Sequence, residues 1–102
     1  MSKEAKDNIG IAHAFKNISS IYFKKKNFFL ALVFADSSLL FSKMIGYPRE
    51  IRDASELLSK IYRKKNNYKK ALEYTDLFIQ MRDSVNSESA RKIYLKKEFQ
   101  DE

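Results

Sequence analysis

This chain of 102 residues contains no cysteine and no tryptophan, only one proline and only two glycines. The absence of cysteine excludes disulfides, thiolate metal ligands and thiol catalysis. It is compatible with both a reducing cytosol and a periplasm, so the compartment is left open. Because proline and glycine are the usual helix breakers, their scarcity favours a few long helices joined by few turns.

No signal-peptide pattern is recognised in the first residues of the sequence, so we expect no signal peptide there. The most apolar stretch, residues 28–41, is interrupted by Asp36 and is shorter than the roughly 20 residues that cross a bilayer. We therefore expect no membrane span. Apolar residues make up 44% of the chain, which allows a packed core. The formal net charge of +7 fits either a solvated lysine-rich surface or attraction to an acidic partner.

What the chain does have is a match to itself at an offset of forty residues. Eleven residues of the first half recur at that offset in the second half. They are Ile11, Ala14, Ser19, Ile21, Tyr22, Lys24, Lys25, Asn27, Ala31, Leu32 and Asp36, repeated as Ile51, Ala54, Ser59, Ile61, Tyr62, Lys64, Lys65, Asn67, Ala71, Leu72 and Asp76. A fixed period of this length predicts a stack of structural repeats.

Apolar residues at helical spacing predict two helices in each repeat, with turns at Lys26–Asn27 and Asn66–Asn67. Gly46 and Pro48 are expected to end one repeat and begin the next, and Asp7 or Asn8 to cap the first helix. A polar junction at residues 84–87 predicts a separate capping helix. We thus expect one domain over 1–102, with repeats at 8–45 and 48–85 and a capping helix at 86–102, cut from a longer protein.

Each repeat resembles the tetratricopeptide repeat. A small residue, Ser19 or Ser59, precedes the tyrosine of the first helix by three positions, and an aromatic and an alanine follow it at six and nine positions. The period is 40 residues where the family has 34. The resemblance implies an all-α fold, a TPR-like α-solenoid of antiparallel helix hairpins with two repeats and a C-terminal capping helix.

The resemblance also implies a function, namely non-catalytic binding of a protein or peptide. Residues 68–99 are similar to the end of the tetratricopeptide regions of bacterial sensor kinases and transcriptional regulators. This likeness implies the sensory or scaffolding part of a bacterial signalling protein. In the family, partners lie in a concave groove lined by the first helix of each repeat. The matching positions here include Lys16, Ser20, Phe23, Glu56, Lys60 and Arg63.

A second candidate surface follows from comparing the two repeats. Large apolar residues of the first repeat replace polar residues at the same positions of the second. These residues are Phe29, Leu30, Val33 and Leu40, and their counterparts are Lys69, Lys70, Glu73 and Gln80. An exposed apolar patch of this kind marks an interface, so we expect a homodimer through this face. The alternative is that the last helix or a further repeat covers the same face.

No pattern for catalysis, metal binding or a cofactor is found in the sequence. His13 is the only histidine, and Gly10 and Gly46 stand alone, outside any phosphate-binding loop. We expect no enzyme activity. One alternative remains, because lysines recur at the turn of both repeats: Lys24, Lys25, Lys26, Lys64 and Lys65. Such an edge could bind nucleic acid or another acidic ligand, although we favour a protein partner over nucleic acid.

Overall fold

Four α-helices follow one another along the chain. The computed structural model describes the backbone of residues 3–101 and the side chains of residues 7–86. The helices are α1 (Lys3–Lys24), α2 (Phe28–Ile45), α3 (Pro48–Lys64) and α4 (Tyr68–Asp101). No strand occurs within residues 3–101, which confirms the prediction of an all-α chain.

The helices form two hairpins that correspond to the two halves of the sequence repeat. α1 packs along α2, and α3 packs along α4. The second hairpin lies against the first through α3, which contacts both α2 and α1. The sequence period of forty residues is therefore a repeat of structure as well.

The two hairpin turns have the same hydrogen bonds. The Asn27 backbone N–H donates to the Tyr22 carbonyl at 2.9 Å, and the N–H of Asn67 donates to the carbonyl of Tyr62 at the same distance. Each asparagine also caps the helix that follows, because its Oδ1 accepts from a backbone N–H three residues on, at 3.2 Å for Leu30 and 3.3 Å for Lys70. One asparagine thus closes the first helix and starts the second.

The residue before each asparagine has a left-handed backbone conformation, with φ of 63° at Lys26 and 61° at Asn66. Asparagine tolerates this conformation, whereas a lysine there is strained by about 1–2 kcal/mol.

We expect Lys26→Gly to raise the free energy of unfolding by about 0.5–1 kcal/mol after the entropic cost of glycine is subtracted. Denaturant unfolding measures this change. The control Lys25→Gly, where φ is negative, should lower stability; a loss in both variants would contradict the assignment of strain to Lys26.

Small residues allow the helices of each hairpin to approach closely. The buried Ser19 hydroxyl donates to the Ala31 carbonyl at 2.6 Å, and its counterpart Ser59 donates to the carbonyl of Ala71 at 3.1 Å. Beside these crossings, Tyr22 stacks on Phe34 and Tyr62 stacks on Tyr74, each pair with ring centroids 5.7 Å apart. The hydroxyls satisfy their own hydrogen-bonding needs, so burying them is not penalised.

The core between the hairpins consists of short or branched side chains on α2 and α3. Its buried members are Ala31, Ala35, Leu39, Ala54, Leu58 and Ile61. A comparison of identical residues in the two repeats shows that docking of the hairpins buries this core. Ala54 and Ile61 are fully buried against the first hairpin, whereas their identical counterparts Ala14 and Ile21 are exposed. Position in the stack therefore decides burial where the residue type is the same.

The junction between the hairpins was predicted correctly. Gly46 ends α2 in a left-handed conformation, with φ of 76°, and its backbone N–H donates to the Ser42 carbonyl at 2.9 Å. Pro48 occupies the first turn of α3, where the missing N–H has no helical partner to lose.

Two predicted boundaries were wrong. α1 begins at Lys3, so Asp7 and Asn8 lie inside the helix instead of capping it. α4 continues through Ser84 to Asp101, so the described residues show no junction at 84–87, and the capping helix predicted over 86–102 is the continuation of α4 as far as residue 101. The physical reason is the absence of a breaker: serine and asparagine only cap a helix that something else ends, and these segments contain no counterpart of Gly46 and Pro48.

Candidate functional site

An apolar stripe runs along the exposed side of α2. Its four members, Phe29, Val33, Leu40 and Met44, are 71%, 42%, 60% and 64% exposed. At 3.6 residues per turn these positions fall on one face of the helix. We call this set the α2 stripe. Four large apolar side chains exposed on one helix face are unusual for a surface without a partner.

The α2 stripe differs from the predicted self-association face by one residue, because it contains Met44 in place of Leu30. Phe29, Val33 and Leu40 are exposed as predicted, but Leu30 is half-buried, because it lies about 100° further around the helix than Phe29. Met44 was missed. Its signal was available in the sequence, since it lies four residues after Leu40 and its counterpart in the second repeat is the polar Ser84.

The equivalent face of α4 shows that the fold does not need apolar residues here. The counterparts of the α2 stripe are all polar and all exposed: Lys69, Glu73, Gln80 and Ser84. Both hairpins nevertheless have the same turns and the same helix crossings. The apolar residues of the α2 stripe are therefore not explained by the packing of the hairpin.

One carboxylate, Asp36, lies halfway along the α2 stripe, at the edge of the stripe that is nearer the second hairpin. Partial burial raises the pKa of Asp36, and the positive charge of Lys70 partly offsets this rise. Burial also raises the pKa of Tyr62 and Tyr74, and the negative charge of Asp36 raises both further. These couplings place Asp36 on the side of α2 that faces the second hairpin.

The six predicted groove residues lie together on the face formed by α1 and α3. Lys16, Ser20, Glu56 and Lys60 line one shallow depression of about 280 Å³. Phe23, Lys60 and Arg63 line a neighbouring depression of about 530 Å³. The structure therefore brings the groove residues together on one surface.

Most of the charged groove residues already have partners within the chain. Lys16 Nζ lies 3.7 Å from an Asp53 oxygen, and Lys60 Nζ lies 3.3 Å from a Glu56 oxygen. The Arg63 guanidinium donates to the Ser59 hydroxyl at 3.3 Å. A ligand in this groove would have to compete with these contacts, which are modest in strength because they are exposed to solvent.

The five lysines of the predicted basic edge are exposed at the two hairpin turns. None of them takes part in the ion pairs between residues 7 and 86. Lys64 also lines the larger groove depression, next to Phe23 and Asn66. The basic edge and the groove are thus continuous at this end of the molecule.

We searched residues 7–86 for groups of side chains that could bind a metal ion. Within this range, no three side chains of the histidine, aspartate or glutamate type are grouped so that they could hold a metal ion. His13 Nε2 lies 3.6 Å from a carboxylate oxygen of Glu50, so the imidazole bridges α1 and α3.

α2 is long and apolar enough to cross a membrane when only its 18 residues and their composition are considered. A helix at the centre of a soluble protein passes the same test. α2 contacts α1 and α3 and buries Ala31, Ala35, Ser38, Leu39 and Ser42. The expectation that no segment spans a membrane stays a prediction.

Comparisons with models of known protein families, with curated proteins and with solved structures give no match to this chain.

Proposed function

We propose that this chain is a non-catalytic protein-interaction module, built as a TPR-like α-solenoid of two helix hairpins. Three features support the TPR-like assignment. The turn hydrogen bonds recur after forty residues, small residues occupy both helix crossings, and α3 contacts both helices of the first hairpin. Repeats of this kind create extended surfaces for partners.

The observation that carries the proposal is the α2 stripe. Full burial of each large apolar side chain contributes roughly 1.5–3 kcal/mol. The four side chains are 42–71% exposed, so burying two copies of the stripe contributes only the exposed part of this amount. The total is roughly 7–14 kcal/mol for eight side chains, which is comparable to an association cost of roughly 4–15 kcal/mol. The simplest partner is therefore a second copy of the chain, and the module is a self-associating scaffold.

The groove on α1 and α3 is the second binding surface of the proposal. It would hold a protein or peptide that bears acidic groups, since its larger depression combines the aromatic Phe23 with the cations of Lys60, Arg63 and Lys64. By its sequence resemblance, the module would serve as the sensory or scaffolding part of a bacterial signalling or regulatory protein.

Light scattering over a concentration series, at low and at high salt, tests self-association. We expect the mass to rise from that of a monomer to that of a dimer, with little effect of salt, because apolar burial is not screened. A monomer mass at every concentration would overturn self-association through the α2 stripe. Flotation of the protein with lipid vesicles in place of dimerisation would assign the stripe to a membrane surface instead.

The alternative function is binding of nucleic acid or another acidic ligand along the basic edge. The observation that favours it is the grouping of exposed, unneutralised lysines at both turns. Oligonucleotide binding should then weaken steeply with salt, and it should be lost in the double variant Lys25→Glu, Lys64→Glu. Absence of binding at low salt would remove this alternative.

A further inference from the structure

The α2 stripe has a symmetric spacing along the helix. Its members are separated by four, seven and four residues, so the sequence of gaps is the same in both directions. Reversing the helix therefore places Phe29 where Met44 was and Val33 where Leu40 was. The reversal also places Asp36 where Ser37 was, so the midpoint of the stripe lies between these two residues. A stripe with this symmetry can pack against an inverted copy of itself without a change of register.

We propose that two copies of this chain pair through α2 in an antiparallel arrangement about a two-fold axis that passes between Asp36 and Ser37. Phe29 then packs against Met44 of the second copy, and Val33 packs against its Leu40. This inference rests on the proposed function, because it specifies the geometry of the self-association proposed above. It is an isologous interface, in which each copy contributes the same surface.

The charges at the ends of α2 favour the antiparallel arrangement over the parallel one, because the last turn of α2 carries one lysine, Lys43, and the turn before α2 carries three. The turn before α2 carries three exposed lysines, Lys24, Lys25 and Lys26. Parallel pairing would bring two such turns together at a helix spacing of about 8–10 Å. Antiparallel pairing places them at opposite ends of the seam, about 27 Å apart for a helix of 18 residues. The helix dipoles are also opposed, which is favourable.

The position of Asp36 gives this arrangement a pH dependence. The two-fold axis brings both Asp36 carboxylates to the same side of the seam, close to each other. The groups that face each carboxylate are Lys70, Tyr62 and Tyr74 of the second hairpin. A neighbouring carboxylate and further burial both raise the pKa of Asp36. The protonated form is therefore favoured in the dimer, and association weakens as the pH rises through that pKa.

We accordingly expect Asp36→Asn to strengthen dimerisation severalfold at neutral pH and to remove its pH dependence. Sedimentation equilibrium at pH 5 and pH 8 measures both effects. The matched control is Asp76→Asn, the same substitution at the equivalent position of the second repeat, which should leave the dimerisation constant unchanged. Weaker dimerisation of Asp36→Asn at neutral pH would contradict the placement of Asp36 at the axis.

Cysteine cross-linking tests the orientation directly, because the chain contains no cysteine of its own. We would prepare three variants of the 102-residue chain, Phe29→Cys, Ser37→Cys and Met44→Cys, and treat them with a short bismaleimide above the dimerisation concentration. Ser37→Cys should cross-link to itself, since its two copies lie about 1.5 Å apart along the helix axis. Phe29→Cys and Met44→Cys should each fail alone, because their copies lie about 22 Å apart, and should cross-link when mixed.

The outcomes separate the two proposals. Cross-linking of Phe29→Cys or Met44→Cys to itself, in a sample with dimer mass, would overturn the antiparallel geometry and leave self-association intact. A monomer mass of the wild-type chain, together with no cross-link from Ser37→Cys, would overturn self-association and the geometry with it.

Discussion

Replacing Leu58 by alanine is expected to lower the free energy of unfolding by about 2–5 kcal/mol. Leu58 is fully buried and belongs to the core between the two hairpins. The neighbouring core residues include Ala35 and Ala54, whose short side chains cannot move in to fill the space. The loss combines the transfer free energy of the removed methyl groups with the cavity left behind. Urea unfolding, with all variants at one fixed protein concentration, measures it.

Leu72→Ala is the matched control, because it is the same substitution at a side chain that is 62% exposed. It should change the free energy of unfolding by less than about 0.5 kcal/mol. If Leu58→Ala were no more destabilising than Leu72→Ala, the second hairpin would not dock on the first through α3, and the stacked arrangement would be wrong.

The second large effect concerns the close crossing of α1 and α2 at Ser19. This side chain is fully buried, and its hydroxyl donates to the carbonyl of Ala31. Ser19→Leu has to force the helices apart or adopt a strained rotamer, and it also loses the hydrogen bond. We expect a loss of about 1–3 kcal/mol from overpacking, beyond the effect of losing the hydrogen bond.

Ser19→Ala separates the two contributions, since it removes the hydroxyl without adding volume. It should lower the free energy of unfolding by only about 0.5–1.5 kcal/mol. Thermal unfolding followed by circular dichroism compares the two variants. Equal midpoints for Ser19→Leu and Ser19→Ala would mean that the crossing has room for a large side chain, and that a small residue is not needed for the helices to approach closely.

The sequence was sufficient to predict those parts of the fold that depend on local rules. The self-match located both hairpins. The turn at Asn27 and the junction at Gly46 and Pro48 follow from the preferences of these residues, whereas Lys26 adopts its left-handed conformation against its own preference. The continuity of α4 was not predicted, because serine and asparagine caps act only where a helix already ends. Residues 84–87 contain cap-forming residues without a breaker.

The candidate site could be predicted in part. Comparing the repeats found Phe29, Val33 and Leu40, since a polar counterpart reveals a position that the hairpin leaves exposed. The same comparison placed Leu30 among them, because the exposed Lys70 is its counterpart, yet Leu30 is half-buried. Side-chain burial depends on the neighbouring helices, as the exposed Ile21 and the buried Ile61 also show. No comparison of residue types can supply that information.

The most direct test of the central claim compares the wild-type chain with a variant whose α2 stripe is replaced by its own counterparts from α4. The substitutions are Phe29→Lys, Val33→Glu, Leu40→Gln and Met44→Ser, all residues that the second hairpin accepts at the same positions. Sedimentation equilibrium should give the wild-type chain twice its 12.0 kDa mass at high concentration and the variant 12.0 kDa throughout, with equal helix content. Identical mass curves for the two proteins would contradict the claim that the α2 stripe is an interface.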